Sequence, residues 1–174
     1  MRIKEVKGWV LSAMFLALGL LFPSIFHLFG AGAGQVFLPM HIPVLICGLF
    51  CGPIFGGIVG ILTPFLSSIF SGMPVLFPTG IAMMFELATY GLVGGSLLKK
   101  HSIYPSLLGA MLCGRFVNGI ITAVLLGAAH HPYSIMTFIN TAFIISIPGI
   151  CIQLIVVPIS VTILKKLHLS ITSK

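Results

Sequence analysis

The sequence predicts an all-α integral membrane fold of six transmembrane helices with both termini on the cytoplasmic side, and three features of the chain lead there. Its 174 residues are 58% hydrophobic and only 6% charged, with a mean hydropathy of +1.21, a composition that water-soluble globular chains do not sustain. Apolar stretches approaching the ~20 residues that cross a hydrocarbon core recur along its length. The basic residues fall almost entirely between or outside these stretches, the arrangement that fixes the orientation of a multi-pass protein.

Taken in order, apolar segments bounded by Pro, Gly, Lys and His predict helices over 8–28, 39–51, 54–71, 77–98, 105–128 and 134–164. Pro43, Pro53 and Pro64 predict short, kinked or tilted elements for the second and third, because proline removes a backbone donor and crowds the preceding turn. The first helix outruns the apolar core of a signal peptide and no A-x-A site follows it, so it is read as a retained helix.

Charge orients the bundle. Arg2, Lys4 and Lys7 precede the first helix, Lys99 and Lys100 separate the fourth from the fifth, and Lys165, Lys166 and Lys174 follow the sixth. An even number of crossings puts all of these on one side, which the positive-inside rule makes cytoplasmic. The net charge of +7 then reflects topology and contact with anionic lipid rather than nucleic acid. The outward connections FHLFGAGAGQVFLPMH, FSGMPVLFPTG and AAHHPY stay apolar and rich in Gly and Pro, as segments that fold back as a lid would be. The inward ones, LFCGPIFGG and KKHSIYP, are tight. With no internal repeat, polar linker or hydrophilic domain, residues 1–174 read as one membrane-embedded domain.

Of the nine Lys and Arg residues, only Arg115, in LLGAMLCGRFVNGII, falls inside a predicted span. Its acidic counterpart is Glu86, in MMFELATYG. An intramembrane charge costs ~2.5–3.5 kcal/mol on insertion scales and therefore faces a cavity or a partner. Counted from the cytoplasmic ends of their helices, Glu86 and Arg115 come out at ~18 and ~15 Å of depth, at 1.5 Å per residue. Equal depth on adjacent helices predicts a buried ion pair. Arg115 is also suited to an anionic ligand, since its planar fork matches a carboxylate, and the two roles are compatible. Asn118 shares the helical face of Arg115, and Tyr90 lies at i+4 from Glu86. For Asn118, Asn140 and Gln153 interhelical hydrogen bonding and ligand contact stand as alternatives; Thr89 and Tyr90 are candidates to line the pocket, with packing the alternative for the tyrosine. His130 and His131 are expected at the outer interface.

Metal and redox chemistry find little footing. Cys47, Cys51, Cys113 and Cys151 read as small buried hydrophobes, and neither C-x-x-C nor H-E-x-x-H occurs. The internal triplet MHI, residues 40–42, is similar to the metal-binding start of cobalt and nickel uptake components, but those use a free amino terminus. The chain has no Asp, only two Glu, and no nucleophile beside an evident base. It also lacks G-x-x-x-x-G-K-[ST], so hydrolysis of ATP would fall to another polypeptide. The reading is a non-enzyme without a cofactor or a metal.

The run GQVFLPMHIPVLICGLFCGPIFGGIVGILTPFLSSIFSGMPVLFPTGIAMMFELATYGLVGG, followed by SIPGICIQLIVVP, resembles the substrate-binding S components of energy-coupling factor (ECF) vitamin transporters over roughly Leu11 to Lys166. Ala13-Met14-Phe15-Leu16-Ala17 is similar to that family's AxxxA pattern, whose small residues dock on a transmembrane coupling subunit. The resemblance implies a module in the plasma membrane of a prokaryote that captures a water-soluble vitamin or precursor from outside. It would dock through Ala13 and Ala17 on one coupling subunit and two ATPases, and carry its site inward by toppling. It also implies a pocket built from the outer halves of helices four to six with the first and third outer loops, which directs attention to Gln35, Met73, Phe77, Glu86, Tyr90, Arg115, Asn118 and Asn140.

The arginine favours a carboxylate or phosphate, and the lack of any tryptophan beyond Trp9 argues against extensive ring stacking. Pantothenate fits both facts; SGMPVLF, similar to biotin-specific members, keeps biotin open, and phenylalanine stacking keeps pyridoxine-type ligands open. The alternative from another class is a stand-alone proton-coupled secondary transporter or channel with Glu86 or a histidine as relay. Such proteins more often show two related halves with broken helices, and no such symmetry is visible.

Overall fold

A computed structural model describes residues 3–27, 33–129 and 134–167. Arg2, His130, His131 and Lys174 lie outside the described residues, as do the side chains of Lys4 and Gln35. All regular elements among the described residues are helical: α1 Ile3–His27, α2 Ala33–Phe37, α3 His41–Cys51, α4 Pro53–Ser71, α5 Ile81–Leu97, α6 Ile103–Ala128, α7 Ile135–Ile139 and α8 Ile147–Lys166. Wide π-type turns at Leu76–Gly80 and Asn140–Ile145 lead into α5 and out of α7.

Among the described residues, five segments are long and apolar enough to cross a membrane: Glu5–Phe26, Pro53–Ser71, Leu76–Leu97, Ile103–Ala128 and Ile147–Lys166. The element predicted over 39–51 differs. It is the 11-residue helix α3, ~16 Å long at 1.5 Å per residue, about half the ~30 Å hydrocarbon thickness. The element predicted over 134–164 is divided at Ser146. Pro148 explains the division: it has no N–H to offer the preceding turn, so it sits in the first turn of a new helix. In the π-type turn before it, the Thr141 carbonyl accepts the Ser146 hydroxyl at 2.9 Å.

Every residue of α3 is buried, the pattern of a helix apolar on all sides that forms the centre of a bundle. It packs against α1, α4, α5 and α8. Its exit into α4 is a single residue, Gly52, at φ 113°, a backbone region favouring glycine, and Pro53 then starts α4 where a missing N–H costs nothing. Glycines also let α5 approach this pair: a Cβ on Gly48 would lie 2.6 Å from the Gly91 carbonyl oxygen. α5 is thereby clamped between α3 and α4 on one side and α6 on the other. This fixes the depth of Glu86 relative to Arg115.

The exposed faces are apolar, as a lipid-facing bundle requires. On α6, Leu108, Leu112, Phe116, Ile120 and Val124 form an outward i, i+4 row. Cys47 and Cys51 are buried, but Cys113 and Cys151 are exposed, correcting the expectation of four buried thiols. Their helices each turn that position away from the core, which in a hydrocarbon solvent carries no penalty for a small apolar side chain. Ala13 and Ala17 are also exposed on α1, beside buried Ser12 and Phe15.

Candidate functional site

A cavity of about 280 Å³ opens at the end of the bundle where α1 finishes and α3 and α5 begin. Lys99, Lys100, Lys165 and Lys166 sit at the opposite helix ends. Its size falls close to the lower end of the ~300–1,000 Å³ usual for small-molecule sites. The polar wall comes from His41 at the start of α3, Glu86 on α5, and Arg115 and Asn118 on α6. Leu38, Met40, Met73, Val75, Met83 and Phe138 supply much of the apolar wall.

Local chemistry places each of these. Leu38 adopts φ 50°, and the turn it makes lets the His41 amide donate to the Leu38 carbonyl at 3.1 Å. α4 ends on left-handed Gly72, a common helix stop. Its last serines then hold the following strap: Ser67 donates to the Met73 carbonyl at 2.7 Å and Ser68 to the Pro74 carbonyl at 2.6 Å. Phe138 reaches the cavity by lying across Gly119, where a Cβ would meet its ring at 2.7 Å.

Glu86 is the hub. Its Oε1 accepts the Tyr90 hydroxyl at 3.0 Å and faces Arg115 Nη1 at 3.2 Å, and its Oε2 accepts Asn118 Nδ2 at 2.8 Å. Asn118 Oδ1 is in turn approached by the Thr122 hydroxyl at 3.4 Å. The predicted ion pair between adjacent helices is therefore present, and both partners are buried. Tyr90, fully buried, seats its ring against Gly114, where no larger residue would fit. The carboxylate's charge is thus met by one cation and two neutral donors, the condition under which a buried ion is tolerated.

Arg115 is only partly used. Nη1 serves Glu86, whereas Nε and Nη2 are buried with no hydrogen-bond partner among the described residues. Those two nitrogens form the side-on edge of a guanidinium, with parallel donors spaced for the two oxygens of a carboxylate or phosphate. Leaving such donors unmet costs ~1–3 kcal/mol each, more on a charged group. An anion entering the cavity would remove that cost.

The cavity brings together four of the residues singled out from the sequence, Met73, Glu86, Arg115 and Asn118. Tyr90 lies beneath it, acting on Glu86 rather than lining the space. Phe77 and Asn140 are exposed and do not line it. At Phe77 an extended backbone, φ −111° and ψ 131°, interrupts the turn, and at Asn140 the wide π-type turn shifts the helical register so that Thr141 and Ala142 face inward instead. Thr89 bonds back to the Phe85 carbonyl at 2.7 Å and is not part of the lining. Gln153 is fully buried with its amide unpartnered among the described residues. The sequence reading missed His41, whose only signal was a polar residue at the entry to a wholly apolar helix. It also missed Thr79, Met83 and Phe138. No group of three or more metal-ligating side chains occurs among the described residues.

A helical membrane bundle with an internal, ligand-sized cavity and a partly unsatisfied cation in its wall defines a membrane-embedded binding module. Residues 7–167 match the family of substrate-specific components of ECF transporters, and the chain belongs to that family. Its members bind a small-molecule substrate and dock with an energy-coupling module. No curated protein and no solved structure matches the chain.

Removing the cation from this hub has a definite expected cost. Arg115→Met leaves Glu86 buried without its counter-charge and lowers stability by on the order of 3–5 kcal/mol, and adding Glu86→Gln recovers most of that loss. Denaturation of both variants in detergent micelles measures it; a single variant as stable as the native protein would show that the pair does not hold α5 to α6.

Proposed function

We propose that this protein captures a small water-soluble vitamin or precursor, with pantothenate, which carries a carboxylate, the best candidate and biotin or pyridoxine-type compounds next. The observation that carries this reading is Arg115 in the cavity wall with its Nε and Nη2 buried and unpartnered among the described residues. It supports a ligand with an acidic group at one end. Asn118, Thr79, Thr141 and Ser146 offer polar contacts around an otherwise apolar space, which suits hydroxyls and an amide. Phe138 is the single carbocyclic ring among the described lining residues, too little for a large flat ring system held between two aromatic faces.

Delivery is assigned to partners. The exposed Ala13 and Ala17 give α1 a low strip on which another helix can approach closely, and this strip is the proposed contact with the transmembrane coupling subunit, which with two ATPases would supply the energy. In the native bilayer, the plasma membrane of a prokaryote, we place both termini and the basic clusters in the cytoplasm. The short α3, together with the α2 segment before it, would complete a sixth crossing. The cavity would then face outward, ready to be turned inward when the whole module topples.

Two measurements test this. Calorimetry on the purified protein is expected to show pantothenate binding 10- to 150-fold tighter than its alcohol analogue panthenol, the equivalent of charge-assisted bonds worth ~1.5–3 kcal/mol; equal affinities would remove the anion from the account. Ala17→Trp is expected to abolish uptake by cells carrying the partner subunits while ligand binding by the isolated protein persists, and loss of both together would sink the docking role.

A further inference from the structure

His41 is nearly inaccessible to solvent, lines the cavity, and has no hydrogen-bond partner for either ring nitrogen among the described residues. Its Nε2 faces Glu86 Oε1 at 3.6 Å, and its ring meets that of Tyr90 edge-on at 5.4 Å. A buried imidazole beside a carboxylate that already has three closer partners is a group held in reserve.

The charge count says for what. Glu86 and Arg115 are the only formally charged residues lining the cavity among those described, and they cancel. A ligand carboxylate on the Arg115 edge would bring the cluster to −1 in a low-dielectric space, where an uncompensated charge is costly. A proton is the available remedy. Glu86 is poorly placed to accept it, because a proton there would displace one of the donors from Tyr90, Asn118 or Arg115. Tyr90 is already protonated as a donor to Glu86.

Among the described residues, the elements packed on α3 bring no competitor. α2 and α4 contain no titratable side chain. On α1, Glu5 and Lys7 lie at the far end, and the His27 side chain lies outside the described residues; on α8, Cys151 is exposed and Lys165 and Lys166 are at the far end. Cys47 and Cys51 lie further along α3 itself, one and two turns and more from His41.

Resting on the anionic-ligand reading above, we propose that His41 is a ligand-binding residue that takes up one proton from bulk water as the anion docks on Arg115. One imidazolium N–H then points to Glu86 Oε1, and Glu86, Arg115, His41 and the ligand carboxylate together are neutral. Because the complex holds one more proton than the free protein and ligand, affinity for the acid falls as pH rises, approaching tenfold per pH unit.

Calorimetry of the full-length native protein in two buffers of different ionisation enthalpy tests this without any variant. With pantothenate, or with biotin if that is the acid bound, the buffer dependence is expected to report uptake of about one proton per ligand, and with panthenol none. In folded His41→Gln the acid is expected to bind more weakly, with no proton uptake and with affinity flat against pH. Acid binding by the native protein without proton uptake would overturn the role of His41 and leave the anion site standing. Uptake that persists in His41→Gln, or that accompanies panthenol equally, would overturn it as well. Failure of both acids to bind would instead overturn the anionic-ligand reading beneath it.

Discussion

The Glu86 carboxylate, gripped at once by Tyr90 from its own helix and by Asn118 and Arg115 from the next, is the interaction on which the rest of the cavity depends. A carboxylate in hydrocarbon has to be neutralised and hydrogen-bonded or it will not stay there. Meeting that demand dictates the spacing of α5 and α6, the orientation of the Asn118 amide and which nitrogen of Arg115 is engaged. By occupying Nη1 alone, Glu86 leaves Nε and Nη2 without a hydrogen-bond partner among the described residues.

Packing supplies the precision that the polar groups need. α3 has no lipid-facing side, and glycines at Gly48 and Gly91 bring its backbone against α5. A hub built on helices that approach this closely has little freedom to drift, and ligand sites held on rigid elements keep their geometry better than sites on loops. The mouth is different in kind. Its walls are short segments, Gly34, Leu38 to Met40, and Met73 to Thr79, the latter tied to α4 by serine hydroxyls. These bonds are few and near the surface, the kind of local structure that opens at modest cost. The fold therefore joins a fixed polar floor to a strap held by few bonds.

Much of this was legible in the chain. Helical spacing put Tyr90 over Glu86 and Asn118 over Arg115, and depth counting put the two charges level, because a helix converts residue number into height with little error. Where backbone departs from regular helix, that conversion fails. Asn140 and Phe77, which the family resemblance singles out, lie at such departures, Asn140 in a π-type turn and Phe77 on extended backbone, and neither lines the cavity. His41 escaped for another reason: α3 was read as an apolar span with histidine at its boundary, and only the folded arrangement shows that this boundary is the cavity floor. Family membership, in turn, gives the class of activity, while the substrate proposal rests on the unpartnered nitrogens of Arg115.

The central claim is that the free edge of Arg115 meets the ligand's anionic group. The chain contains two arginines, Arg2 and Arg115, so selective ¹⁵N-arginine labelling yields two Nε–H signals, and Arg115→Lys assigns them. On titration with pantothenate or biotin, the account predicts that the Arg115 signal shifts strongly and exchanges more slowly with water, that Arg2 stays in place, and that panthenol produces no comparable shift. A ligand shown by calorimetry to be bound, with the Arg115 signal unmoved, would contradict it.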